Sequence, residues 1–123
     1  MSGQKKGLLA QGGIMDYFDI KVLPKKEIRE GITVRSVFLN NVMLTYFEFE
    51  ANTKIPAHRH HHEQITFILE GEMEFSLEGK KRILKAGDGV IVPSNKEHNV
   101  SALTRTIVVD AWSPVRNDYV VHR

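Results

Sequence analysis

Apolar and polar positions alternate in short runs from residue 32 onward, and each run is closed by a turn signal. ITVRSVFL (32–39) alternates in part and ends at Asn40-Asn41. VMLTYFEFEA (42–51) is rich in the β-branched and aromatic residues that suit a pleated, half-buried strand. Residues 52–57 contain Pro56 and read as a loop into a short strand. QITFILE (64–70) and EMEFSLE (72–78) flank Gly71, and Gly79-Lys80 reads as a hairpin turn before KRILK (81–85). The run 86–89 (AGDG) is another turn, VIVP (90–93) is a short apolar strand closed by proline, 94–97 is a loop, and RTIVVDAW (105–112) is the last long strand. Upstream, KKEIREG (25–31) reads as a helical turn or a charged loop. Roughly eight or nine short strands with glycine-marked turns, no long helix and no internal repeat predict an all-β sandwich or barrel.

Length and composition narrow this picture. With 123 residues the chain fits one domain and can bury a core without covalent staples. Residues 1–14 read as a flexible leader, with Met15 as an alternative start, and 15–123 as the domain. The stretch MSGQKKGLLAQGG has too short an apolar segment for a secretory signal, and no apolar run approaches a membrane span. A cytoplasmic location is the default expectation. Acidic and basic residues are interleaved at a net charge of +2, so the basic stripe of a nucleic-acid binder is missing. There is no cysteine, which excludes disulfides and leaves nitrogen and oxygen as the only metal ligands.

Those ligands are concentrated. Of six histidines, His58, His60, His61 and His62 cluster, His98 follows the 90–93 strand, and His122 is near the end. On an extended chain, residues two apart share a face, so His58 and His60 project together and Arg59 points away. Two imidazoles so placed can reach one metal, with His98 brought across by a neighbouring strand. Glu63 and Gln64 compete for the fourth position. Gln64, Thr66 and Ile68 share one face of their strand and Ile65, Phe67 and Leu69 the other, and the local pattern does not say which is inward. His61 and His62 read as solvated loop residues, either of which can still replace a ligand. The plain alternative for a histidine pair on a strand is a surface or packing feature.

The spacing resembles the two motifs of the cupins, small β-barrels of the jelly-roll type. The first is carried here by His58-Arg59-His60, Gln64 and Gly71, the second by Gly87, Pro93, Asn95 and His98. Gln64 stands where the family usually has glutamate, Asn95 where it usually has glycine, and the early glycine of the first motif is Asn52 or absent. Asparagine tolerates positive φ better than most residues, so the turn at 95 can survive. The motifs span about 50–100. The resemblance implies a single cupin domain, settles the register in favour of Gln64, and implies one divalent metal on His58, His60, Gln64 and His98. Zn, Ni, Mn, Fe, Co and Cu all accept such a set.

A neutral glutamine leaves the ion its full charge. The site is then a stronger Lewis acid than its glutamate counterpart, draws anionic ligands such as carboxylates, and favours redox cycling less.

A second constellation lies at Asp110, Trp112, Ser113, Pro114, Arg116, Asp118 and Tyr119. Asp110 ends an apolar strand, where a carboxylate can take an adjusted pKa and act as acid or base. Trp112 can stack on a sugar ring, and Arg116 can clamp a carboxylate in bidentate fashion. The plain alternatives are that Asp110 pairs with an arginine, Trp112 is core and Ser-Pro ends the strand. With the histidines, this pattern resembles the pectin-degradation (KdgF-type) cupins, which linearise 4,5-unsaturated uronates to open-chain keto acids on a metal held by three histidines and a glutamine. The resemblance implies catalytic roles for Asp110, Trp112 and Arg116, an acidic-sugar substrate and a homodimer. Trp112 replaces a more usual phenylalanine, which changes the pocket. Two other classes stay open: an Fe or Cu cupin dioxygenase of the quercetinase type, and a non-catalytic sugar- or metal-binding barrel.

Overall fold

The alternating runs become the strands of two antiparallel sheets facing each other. The computed structural model describes residues 17–122. Its strands are β1 (Lys26–Arg29), β2 (Ile32–Phe38), β3 (Met43–Phe49), β4 (Lys54–His58), β5 (Glu63–Glu70), β6 (Glu72–Leu77), β7 (Lys80–Lys85), β8 (Gly89–Val92), β9 (His98–Ala102) and β10 (Thr106–Ser113). One sheet has the order β1-β2-β3-β10-β5-β8 and the other β4-β9-β6-β7. This is the all-β single-domain barrel expected. The leader reading for residues 1–14, and the alternative start at 15, lie outside the described residues. Among the described residues no helix is long and apolar enough to cross a membrane.

Two strands escaped the sequence pattern. Residues 26–29 are neither a helical turn nor a charged loop but an edge strand, paired to β2 through Lys26↔Val34 and Glu27↔Thr33. Its charged side chains face solvent, so the ladder and not apolar alternation defines it. Residues 98–102 (HNVSA) form β9, paired with both β4 and β6. His98, Val100 and Ala102 alternate inward, yet histidine, asparagine and serine are weak strand signals. A smaller correction concerns the β6–β7 hairpin. Its turn is Glu78-Gly79, both at positive φ (50° and 80°), one position earlier than Gly79-Lys80.

The core lies between the sheets. Ile32, Val34 and Ile68 are fully buried, and Met43, Met73 and Val92 are 1 % exposed. Each such side chain contributes about 1.5–3 kcal/mol through burial. Gly71 joins β5 to β6 at φ 89°, and a Cβ there would overlap the Arg105 carbonyl oxygen. Asn95 has φ 64°, so it occupies the left-handed conformation in the position where glycine is usual. Asn52 also sits at positive φ, 69°.

The inward face of β5 is the more polar one. Gln64, Thr66 and Ile68 are buried, whereas Ile65, Phe67 and Leu69 are 57, 43 and 46 % exposed. Strand pairing aligns Leu44, Ala111, Ile65 and Ile91 in one row across the outer face, with Tyr46, Val109 and Phe67 in the next. Nothing among the described residues covers this apolar outer face.

Candidate metal centre

The three histidines converge because of strand pairing. His58 ends β4 and lies opposite His98 at the start of β9. The ring centroids of His58 and His98 are 4.3 Å apart, and those of His60 and His98 are 4.8 Å apart. One ring nitrogen from each of His58, His60 and His98 lies within 4.8 Å of the others. In every ring Nδ1 is engaged by a backbone carbonyl: Pro56 O at 2.8 Å for His58, His62 O at 3.0 Å for His60, Lys96 O at 2.9 Å for His98. Nε2 is therefore the nitrogen left for a ligand, and the carbonyls fix tautomer and ring orientation as in established metal sites. Phe75 stacks flat on His98, with 3° between the planes. Burial, then Arg116 and the other imidazoles, lowers His60 from 6.5 to about 4. Burial likewise lowers His98. Both rings are therefore neutral at pH 7, the form that binds metal. This donor set suits a borderline divalent ion.

Gln64, not Glu63, faces the imidazoles. Its Oε1 lies 3.2 Å from His60 Nε2, while Glu63 is exposed on the other face of β5. His61 is exposed and packs against His62 with ring centroids 4.1 Å apart and planes tilted by 36°. His62 is half-buried instead of solvated, and neither joins the imidazole cluster among the described residues. His62 contributes its carbonyl to His60 and packs edge-on to Trp112 at 6.5 Å.

Asp110 sits behind Gln64 at the bottom of the same cavity, one of about 40 Å³ whose walls include His58, Gln64, His98, Asp110 and Trp112. It is 4 % exposed and pairs with hydroxyls and an amide instead of an arginine. Thr66 Oγ1 donates to Oδ1 at 2.5 Å, Thr45 Oγ1 donates to Oδ2 at 3.3 Å, and Gln64 Nε2 approaches Oδ1 at 3.5 Å. Burial raises the Asp110 carboxyl from 3.8 to about 6 against the opposing pull of those hydrogen bonds. Trp112 is 4 % exposed, so the ring offered for stacking on a sugar is part of the core. Its Nε1 donates to Thr45 Oγ1 at 2.8 Å.

Arg116 lies over Trp112 at 4.9 Å and over Tyr119 at 4.2 Å. Its fork already holds Asp118, with Nε–Oδ1 3.1 Å and Nη2–Oδ2 2.7 Å, while Nη1 is buried without a hydrogen-bond partner. Burial alone would raise the Asp118 carboxyl, but hydrogen bonds and charge from Arg116 hold it below its ordinary value. Arg116 lines an open cleft of about 600 Å³ together with His58, His60, Arg59 and Lys26. His58 borders both the cleft and the inner cavity, so the imidazoles separate the two. Sequence reasoning missed Thr45 and Thr66. The one signal is parity, and only for Thr66, which shares the inward face of Gln64; Thr45 shares its face with Met43 and Phe47.

Residues 45–111 match the cupin domain family. The chain is 31 % identical over 107 residues to the pectin degradation protein KdgF of Dickeya dadantii (strain 3937), covering 85 % of this chain and 97 % of that one. Among solved structures, an RmlC-like cupin from Shewanella frigidimarina NCIMB 400 superposes with a TM-score of 0.82 at 26 % identity, covering 87 % of this chain and 97 % of that one. KdgF from Halomonas sp. superposes with a TM-score of 0.80 at 29 % identity, covering 85 % and 98 %. With its barrel, its two motifs and these relatives, the chain belongs to the cupin family.

Proposed function

We propose that the chain is a metal-dependent enzyme that opens the ring of 4,5-unsaturated uronates and tautomerises the product to a keto acid. The observation that carries this reading is the cavity that Asp110 shares with His58, His98 and Gln64, with the Gln64 amide reaching from His60 toward Asp110. The reading is also supported by the likeness to the KdgF proteins of Dickeya dadantii and Halomonas.

In this reading His58, His60, His98 and Gln64 hold one divalent ion. Bound there, it supplies Lewis acidity that polarises oxygen atoms of the sugar. Arg116 lines the cleft and is the cation that meets the substrate carboxylate there; Asp118, Trp112 and Tyr119 hold the guanidinium in place. Ring opening is an isomerisation. The anomeric hydroxyl loses a proton, the bond from the anomeric carbon to the ring oxygen breaks, and the ring enol ether becomes an enol. A proton added to C4, with loss of the proton from the enol hydroxyl, turns that enol into a ketone. Asp110 moves a proton in this sequence, and a carboxyl held near 6 suits both halves of the task. Trp112 forms the wall of the cavity and, through Thr45, fixes one oxygen of Asp110. The reading includes a homodimer, supported by the uncovered apolar row on the outer face.

The test is metal analysis of protein purified without chelators, followed by incubation with an unsaturated uronate and NMR of the products. Open-chain keto acid is expected, with Asp110→Asn at least about 100-fold slower at unchanged metal content, the scale of a lost acid–base group. Uronate bound but not consumed, oxygen uptake during turnover, or full activity in Asp110→Asn would each overturn the assignment.

A further inference from the structure

The side-chain amide of Gln64 has two ends with different duties. Its Oε1 faces His60 at 3.2 Å, and its Nε2 donates to Thr66 Oγ1 at 2.7 Å and points at Asp110 Oδ1, 3.5 Å away. The Thr66 hydroxyl accepts from Gln64 and donates to Asp110. On the other side, Trp112 Nε1 donates to the Thr45 hydroxyl, which donates to Oδ2 of Asp110. Both chains of donors run toward the one buried carboxylate. An ionised carboxylate only accepts, so the nitrogen of the amide must be the end turned to Thr66 and Asp110. The oxygen is then forced toward the imidazoles. A glutamate at this position would set two carboxylates against each other in a buried place, where they repel unless one takes up a proton.

We propose that Thr66 is a positioning residue that couples the metal ligand at position 64 to the carboxylate at position 110, and that glutamine stands at 64 because it alone presents an acceptor to the metal and a donor to Asp110. This inference rests on the reading of Gln64 as a ligand. It differs from the account in which the neutral ligand serves only to leave the ion its charge. It also has a direct consequence: position 64 can become glutamate if position 110 becomes a donor.

The experiment is a double-mutant cycle in zinc affinity on the full chain, read by competition with a chromophoric chelator at pH 8. The variants are Gln64→Glu, Asp110→Asn and their combination, with Thr66→Val and Thr66→Ser alongside. Thermal melts of the metal-free proteins check that each variant is folded. The combined variant is expected to bind zinc at least about tenfold more tightly than the product of the two single effects, because the amide introduced at position 110 donates where the carboxylate cannot. Thr66→Val is expected to lose about tenfold in zinc affinity although it touches no metal, and Thr66→Ser, which keeps the hydroxyl, to stay within about threefold of the parent. Single effects that simply multiply, or a Thr66→Val protein with parental affinity, overturn the inference. Coupled zinc binding in a protein that leaves unsaturated uronates untouched would retain the inference and remove the proposed reaction. Turnover of uronates with uncoupled zinc binding would do the reverse.

Discussion

His58 and His98 face each other directly across the β4–β9 ladder, with their rings 4.3 Å apart. The site therefore depends on one antiparallel register. A slip of one residue would put the two imidazoles on opposite faces of the sheet.

Metal binding is expected to fail when either ring is removed. His58→Ala and His98→Ala should each lower metal affinity by more than the roughly 10–100-fold that loss of a supporting hydrogen bond costs. Elemental analysis after gel filtration is expected to find about one metal per parental chain and close to none in the variants. Retention of stoichiometric metal in either variant would move the ligand set elsewhere.

The buried carboxylate sets a pH dependence of stability whose sign can be worked out. Asp110 is raised from 3.8 to about 6 in the folded chain, mainly by burial. A folded value above the unfolded one means that the protonated form is favoured by folding. The contribution is fully present below about pH 4 and is lost as pH rises through about 6. Asp110→Asn has no charge to bury. Its stability relative to the parent, measured by urea unfolding of metal-free protein, is expected to improve by about 3 kcal/mol between pH 4 and pH 8. His60 acts in the opposite sense. Its folded value of about 4 is below the ordinary 6.5, so its contribution is full above pH 6.5 and is lost as pH falls toward 4. Both proteins carry His60, and it cancels in the difference. A difference that does not change with pH would contradict the burial of a charged Asp110.

Arg116→Lys separates binding from chemistry. A lysine keeps the charge but cannot grip Asp118 with two parallel bonds while packing over Trp112 and Tyr119. A rise of about tenfold or more in KM for an unsaturated uronate is expected, with a smaller change in kcat. Steady-state kinetics with the metal-loaded protein decides the matter. An unchanged KM would detach Arg116 from the substrate carboxylate.

The outer face of β5 and its neighbours is expected to meet a second copy of the chain. Ile65 and Ile91 are directly paired across β5 and β8 and are 57 and 70 % exposed. Contiguous exposed apolar patches of this kind mark association surfaces. A parental dimer is expected by light scattering. The Ile65→Lys, Ile91→Lys double variant should run as a monomer with an intact melting transition. A parental monomer, or a dimer that survives both charges, would place the interface elsewhere or remove it.

Much of this was legible in the chain. The strands at 32–38, 43–49, 63–70 and 106–113 carry their own alternation and turn residues. The strand of residues 26–29 was not legible, because an edge strand is made by its neighbour's hydrogen bonds and its charges carry no apolar period. Residues 98–102 were obscured because a functional histidine and two polar side chains occupy positions where β-formers would signal a strand. His62 was misread because its partial burial comes from Trp112 and the segment after β10, far away in sequence.

Taken alone, the sequence determined the all-β class, the exclusion of thiolate ligands, and the His58–His60 pair, since these follow from composition and from the two-residue period of an extended chain. The local pattern of β5 left open which of its faces is inside; the family spacing pointed to Gln64, and the tertiary structure supplied the physical reason. Hydrophobicity would have chosen Ile65, Phe67 and Leu69, but the face carrying Gln64 and Thr66 is the one that meets the opposite sheet. The reason is that those polar groups are satisfied by Asp110, a partner 44 residues from Thr66 in the chain. Burial of a polar side chain depends on what the fold places opposite it, and local pattern does not contain that information.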